Sequence, residues 1–259
     1  MSKINKNKST TALKAFQVLE AVAASSQPMS VPEVAECISV DKATAYRMLM
    51  TLVEAGYVLR NHISKRYSLS YKVVSLSRNL LVENEVSSLI RQTLKQISDE
   101  THETLHYSVL DGDEAVLVQR VKGTQLVTID FQIGDRAKLH CTSIGKVLLA
   151  FQDMRYIEHI IAAGLPKLAS NTMTAPEQFR QELHRIRSQG YALDDHEFSD
   201  NMRCIAVPIF ESGGRVHGGI SISGPDSRFT LEKLAELKEP LLKASRELSR
   251  QLGGLPWTP

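Results

Sequence analysis

His140-Cys141-Thr142-Ser143 stands directly before an apolar run that begins at Ile144. If that run is a helix, the backbone N–H groups of its first turn have no internal acceptor and can hold a carboxylate, as helix N-termini do for anions. Ser221 and Ser223 lie two residues apart in a strand-like segment, so both hydroxyls leave from one face while Ile220 and Ile222 occupy the other. The run Asp194-Asp195-His196-Glu197 adds carboxylates and an imidazole, and Cys204 adds a thiol. These residue types together suit a site for a small polar acid. Their spacing alone does not bring them together.

The same residues allow two other chemistries. Cys141 could be a thiol nucleophile activated by the helix start and by His140 or His196. Cys141, His140, Asp194, His196 and Cys204 are also of the types that ligate zinc. Neither has a diagnostic spacing. No G-x-S-x-G elbow occurs, and Gly145-Lys146 fails as a phosphate loop because His140 and Val147 stand where glycine and Ser or Thr are required. Cys37, Cys141 and Cys204 are odd in number and far apart, which predicts reduced thiols rather than a disulfide framework. The reading therefore assigns no catalytic residue, metal ligand or cofactor, and keeps a metal sensor and a thiol enzyme as alternatives.

The elements around these residues divide the chain. Residues 1–78 hold 11 Lys and Arg against 5 Asp and Glu, whereas the remainder holds 20 against 24, so a basic front third precedes a mildly acidic body. That asymmetry predicts a small module that faces a polyanion. Leu13, Phe16, Leu19 and Val22 recur at helical spacing after Thr10-Thr11, and Ser30 with Glu33 forms a capping box that starts a second helix ending near Ile38. Asp41 caps a third, with Ala45, Met48, Leu49, Leu52 and Val53 inward and Gly56 at its end. Tyr57 to Arg60 and Arg66 to Leu69 then alternate around a polar tip, as a β-hairpin does.

Three helices with a tight turn and a hairpin are the order of a winged helix-turn-helix. The third helix leaves Lys42, Ala43, Thr44, Tyr46 and Arg47 outward to enter a major groove. Arg47 suits guanine or phosphate, Lys42 and Thr44 suit phosphate, and Lys65 and Arg66 on the wing could follow the neighbouring backbone. The rival reading is a packing or protein-interaction module. Lys3, Lys6 and Lys8 are a solvated tail or a minor-groove arm.

Residues 70–82 carry the stripe Val73, Val74, Leu76, Leu80 and Leu81, and Val86, Leu89, Ile90, Leu94 and Ile97 form a second one. Either could pack against a second copy of the chain or cover the larger domain. Strands are predicted at 104–110, 115–121 and 126–131 as an antiparallel meander, with helices at 143–151, 154–163 and 176–189. A hairpin of 204–210 and 216–223 and a helix over 231–252 close the chain, which makes an α+β sheet domain large enough for a small-molecule pocket. No run of about 18 apolar residues occurs, so no membrane partner is expected and the cytoplasm is the expected location.

Three blocks carry a resemblance to a known family: Val40-Asp41-Lys42-Ala43-Thr44-Ala45-Tyr46-Arg47-Met48-Leu49, Leu139 through Ala150, and Met202-Arg203-Cys204-Ile205-Ala206-Val207-Pro208 followed by Ile220 to Ser223. In these the chain resembles, over nearly its full length, the IclR-type (isocitrate lyase regulator) bacterial transcription factors. The resemblance implies a winged helix-turn-helix over 1–69, a linker helix over 70–83 and a GAF-like antiparallel-sheet effector domain over 84–259. It implies a regulator, a repressor by expectation, that binds a palindromic operator in double-stranded DNA as a homodimer or homotetramer and responds to a small carboxylate or sugar acid. Effector contacts would fall on Thr142, Ser143, Asp194, Cys204, Ser221 and Ser223, with Leu139 and Ile205 as apolar wall. Ala43 stands where the family commonly has serine, and Ser143 where it commonly has alanine.

Overall fold

The computed structural model describes residues 9–81 and 85–254, with the side chains of residues 78–81 outside that description. Lys3, Lys6 and Lys8, the side chains of Leu80 and Leu81, and the far end of the expected 70–83 helix lie outside the described residues. The chain forms two compact units, Met1–Val82 and Glu83–Pro259.

In the first unit, α1 (Thr10–Ala24), α2 (Val31–Cys37) and α3 (Lys42–Glu54) precede the hairpin β1 (Val58–Arg60) and β2 (Tyr67–Leu69), and α4 (Lys72–Leu81) follows. Each of the first three helices starts on a cap visible in the sequence. The Ser9 hydroxyl accepts from Ala12 N, Ser30 and Glu33 form the capping box, and Asp41 Oδ1 accepts from Thr44 N at 2.8 Å. Gly56 leaves α3 at φ +79°, a left-handed geometry that a side chain would strain. The core is Val18, Val34, Ala45, Leu49, Val58 and Tyr67, all essentially closed to water. Each fully buried aliphatic side chain there stabilises the unit by about 1.5–3 kcal/mol. Helix α4 is tied to this core at its start, where Lys72 Nζ donates to Ala55 O (2.7 Å) and sits 4.7 Å from the Tyr57 ring centroid.

The second unit runs α5 (Glu85–Thr101), β3 (Leu105–Asp111), β4 (Glu114–Val121), β5 (Arg136–Lys138), α6 (Ser143–Ala150), α7 (Met154–Ala163), α8 (Pro176–Gln189), β6 (Ala192–Asp195), β7 (Met202–Phe210), β8 (Val216–Pro225) and α9 (Leu231–Gln251). The six strands form one antiparallel sheet in the order β5-β4-β3-β8-β7-β6. Strand alternation divides its residues between two cores. Ile205, Val207, Ile209, Ile220 and Ile222 pack with α5 and α9, while Ala115, Ala192 and Ala206 pack with α6, α7 and α8. The α5 stripe of Ile90, Leu94 and Ile97 thus covers the sheet of its own chain.

One expectation changes. Residues 126–131 are not a strand, although Val127, Ile129 and Phe131 alternate. Leu126 and Val127 point into solvent, and the segment is held instead by Arg228 Nη2 donating to Val127 O and by an Arg120–Asp130 ion pair of 2.8 Å. The edge strand is Arg136–Lys138, paired with β4. The early strands form the expected antiparallel meander, now β3-β4-β5, and β3 pairs with β8 to join it to the late hairpin. Ala192–Asp195, which carries part of the acidic run, forms a further strand at the other edge of the sheet, with the Asp194 side chain fully buried and in register with Cys204.

Candidate ligand cavity and nucleic-acid interface

Antiparallel register sets polar side chains in rows across the inner face of the sheet. One row reads Ala206, Ser221, His106 and Arg120 across β7, β8, β3 and β4, and the next reads Asp194, Cys204 and Ser223 across β6, β7 and β8. A cavity open to solvent at its mouth lies over these rows. Thr142, Ser143, Cys204, Ser221 and Ser223 all line it, so five of the six expected effector contacts converge. Ala115, Leu117, Ala137 and Ile144 supply aliphatic wall, and Phe131 and Phe198 supply aromatic wall.

Helix α6 brings its N-terminus to this cavity. Thr142 caps it, its Oγ1 accepting from Gly145 N (3.0 Å) and donating to Lys138 O (2.9 Å). The one proton of that hydroxyl is committed to Lys138 O, so a ligand carboxylate oxygen at this end would meet the first-turn N–H groups of Ser143 and Ile144 and the Ser143 side chain. Gly145 permits the close turn, because a Cβ there would stand 2.6 Å from both Leu139 Cα and Lys138 O.

Leu139 and Asp194 do not line the cavity. Leu139 is packed in the α6 core with Val147 and Leu148. Ile205 lies on the opposite face of the sheet, in the α5–α9 core, because it is one residue out of phase with Cys204. Asp194 sits beside Cys204, with Oδ1 accepting from Glu197 N (2.8 Å) and Phe198 N (3.3 Å). Burial outweighs these bonds and the nearby Lys146, and pushes its carboxyl up to about 6. The Cys204 thiol lies among Asp194, Ser223 and Ser143 and is pushed well above its ordinary range by burial. Asp194 therefore shapes the cavity through Cys204.

Lys146, on α6, is fully buried, with Nζ 2.5 Å from Glu197 Oε1 and 3.6 Å from Glu182 Oε1. Glu197 is pushed up to about 7 by its burial, although Lys146 opposes this. Cys141 is pushed up to about 12 by burial and by the negative charges of Asp194 and Glu197, the reverse of what a thiolate nucleophile needs. His140 Nε2 faces Pro166 O at 2.9 Å, and His196 faces Asp195 and Asp226 at 3.6 and 3.9 Å. Among the described residues no three His, Cys, Asp or Glu side chains converge as metal ligands.

In the first unit, Lys42, Ala43, Tyr46 and Arg47 are exposed on the outer face of α3, whose other face is core. Thr44 is half-buried. Its hydroxyl donates to Asp41 Oδ2 (2.7 Å) and accepts from Arg47 Nη2 (3.4 Å), which links the cap to the arginine at the surface. Lys65 is exposed on the wing at φ +57°. Arg66 is differently placed. Its guanidinium holds Glu33 at 3.0 and 3.2 Å and donates to Pro28 O at 2.6 Å, clamping the hairpin to the start of α2.

Sequence reasoning missed His106, Ser108, Phe131, Phe198 and Met202 in the cavity wall. His106 and Ser108 had a signal, since they alternate with Leu105, Tyr107 and Val109 as a polar face of one strand. Phe131 and Phe198 lie in irregular segments that no period marks.

A basic helix-turn-helix unit with an exposed third helix, joined to a sheet domain with a cavity, defines a DNA-binding regulator that responds to a ligand. Residues 11–62 match the IclR helix-turn-helix domain, and residues 78–250 match the bacterial transcriptional regulator IclR C-terminal domain. The HTH-type transcriptional regulator KdgR of Escherichia coli (strain K12) is 33% identical over 245 residues, which cover 94% of this chain and 93% of that protein. The transcriptional repressor IclR of the same organism is 26% identical, covering 93% and 89%. The crystal structure of the Thermotoga maritima IclR superposes with a TM-score of 0.77 at 33% identity, covering 94% of this chain and 98% of that one. The chain belongs to the IclR family: it is a DNA-binding transcriptional regulator with an N-terminal helix-turn-helix and a C-terminal effector-binding domain.

Proposed function

We propose that this regulator is a repressor that grips a palindromic operator in double-stranded DNA as a homodimer or homotetramer, and that a small carboxylate or sugar acid in the sheet-domain cavity changes its grip. In this reading residues 1–69 bind DNA, 70–83 link and 84–259 sense the effector, in the cytoplasm. Lys42, Ala43, Thr44, Tyr46 and Arg47 face the major groove and Lys65 the adjacent phosphates, with Arg66 holding the wing in place. The acid's carboxylate lies on the α6 start at Thr142 and Ser143, and its other oxygens on Ser221, Ser223 and Cys204, with Asp194 behind Cys204 and Leu139 bracing the turn.

The observation that carries the DNA reading is the exposed Lys42, Tyr46 and Arg47 on a helix otherwise packed into its own unit. The name of the Escherichia coli repressor supports the sign of the output. Two identical reading heads on symmetric half-sites would follow from a homo-oligomer. Because effector and operator share one protein, whatever weakens DNA binding must itself bind the DNA complex less tightly.

The test is to retain genomic fragments on the purified protein at about 150 mM salt, where purely electrostatic binding is much weakened, and to sequence them. A shared palindromic site is the expected result. Retention of nothing, or of all DNA alike, overturns the reading in favour of an interaction module.

A further inference from the structure

His106 is 3% exposed, lines the cavity, and has no hydrogen-bond partner at either Nδ1 or Nε2. A buried polar atom without a partner is unfavourable, and two on one ring in a cavity wall mark a place where something bound there supplies the missing bond. The ring's neighbours restrict what that is. Ser221 on β8 stands directly across in register, Arg120 stands across on β4, and Ser108 follows two residues on. Phe131 packs edge-on against the imidazole with centroids 5.7 Å apart, and Phe198 against Phe131 at 6.3 Å. His106 thus stands where the aromatic wall meets the row of hydroxyls.

Its charge state is also set by these surroundings. Burial, and the positive charge of Arg120, pull the imidazole down to about 4, so at neutral pH it is uncharged, with one N–H donor and one bare acceptor nitrogen. A ring in that state suits a group that both donates and accepts. A carboxylate, which only accepts, has the first-turn N–H groups of α6 instead.

We propose that His106 is a specificity-determining ligand contact, a neutral imidazole that reads an uncharged hydroxyl on the bound acid beside Ser221. This deepens the cavity reading above and rests on it. The effector class becomes a hydroxyacid whose carboxylate lies on α6 and whose hydroxyl lies on β3 and β8, with its carbon frame against Phe131 and Phe198. An unhydroxylated acid leaves the imidazole unpaired and binds less well.

The experiment is calorimetric titration of the full-length protein with matched acids: benzoate and para-hydroxybenzoate, butyrate and gamma-hydroxybutyrate, hexanoate and gluconate. Wild type is expected to favour the hydroxylated member of at least one pair by about tenfold or more. His106→Phe should remove that preference while keeping affinity for the plain acid, and His106→Gln, which retains a donor and an acceptor, should restore part of it. A wild type without preference, or a His106→Phe protein that keeps it, overturns the proposal while leaving the acid-binding cavity standing. Failure of wild type to bind any of the six acids overturns the cavity reading and this inference with it. Should His106→Phe not fold, nitrogen-15 shifts of the wild-type histidines decide. The His106 ring nitrogens should move with the hydroxyacid and not with its partner, and identical behaviour with both overturns the proposal.

Discussion

Lys146 Nζ lies 2.5 Å from Glu197 Oε1, and both side chains are shut away from water. Ions so placed are held by one another, because either alone would be a bare charge in a medium of low polarity. Lys146→Met is therefore expected to destabilise the sheet domain by about 3–5 kcal/mol, since it strands Glu197. Adding Glu197→Gln should return much of that loss. Urea unfolding of the three proteins checks this, and a double variant as unstable as the sum of the singles would show that the two side chains are not coupled.

Asp194 gives the domain a pH dependence of definite sign. Its carboxyl is held at about 6 in the fold against an ordinary 3.8, so between those values the folded protein keeps a proton that the unfolded chain has released. Stability contributed this way falls as pH rises through the window. Glu197, pushed up to about 7, acts in the same direction. His106, pulled down to about 4, acts the opposite way over the same range, so the quantity to follow is the unfolding free energy of wild type relative to Asp194→Asn, which should decline from about pH 4 to about pH 7. Parallel curves would mean that Asp194 ionises normally.

Gly145→Ala tests the turn that carries the carboxylate end of the cavity. The new methyl would meet the Leu139 and Lys138 backbone at 2.6 Å, and a backbone neighbour cannot swing aside as a side chain can. A loss of about 1–3 kcal/mol is expected, together with weakened acid binding as the α6 start shifts. Unchanged stability and unchanged acid affinity would show that the turn has room to spare.

Three cations on the first unit should separate by role. Arg47→Ala is expected to cost about 1–3 kcal/mol of specific DNA affinity without altering acid binding. Lys65→Ala should weaken binding to all sequences alike and reduce the salt slope by about one. Arg66→Ala should leave the salt slope unchanged and instead lower the melting temperature of the unit, an effect shared non-additively with Glu33→Ala, because these two side chains form one clamp. Titrations over a salt series, with thermal melts, distinguish the three, and an Arg66→Ala slope that falls like that of Lys65→Ala would place Arg66 on phosphate.

Ser221→Ala combined with Ser223→Ala should abolish the effect of acid on operator binding while leaving the operator affinity of the free protein intact. Both hydroxyls belong to the wall of the cavity and neither belongs to the DNA-binding unit. Gel-shift titrations with and without acid read this directly, and a double variant that responds like wild type would put the effector elsewhere.

Much of this protein was legible in its sequence, because the signals are local. Ser9, Ser30 with Glu33, and Asp41 cap helices through bonds that span three residues, and helical or strand period needs only a dozen residues to declare itself. The same locality placed Ser221 and Ser223 on one strand face and Ser143 at a helix start. What only the tertiary structure decided is what depends on distant pairing. The β3–β8 register put His106 beside Ser221, and the pairing of β6 with β7 set a buried Asp194 behind Cys204. Arg66 reads as a DNA contact in a basic hairpin, and its ion pair with Glu33 shows only once α2 delivers that carboxylate to it. Residues 126–131 have a strand's alternation but find no strand to pair with, and so run as an irregular segment that sends Phe131 into the cavity. Period and caps are properties of one segment, whereas pairing, burial and charge are properties of what the rest of the chain brings against it.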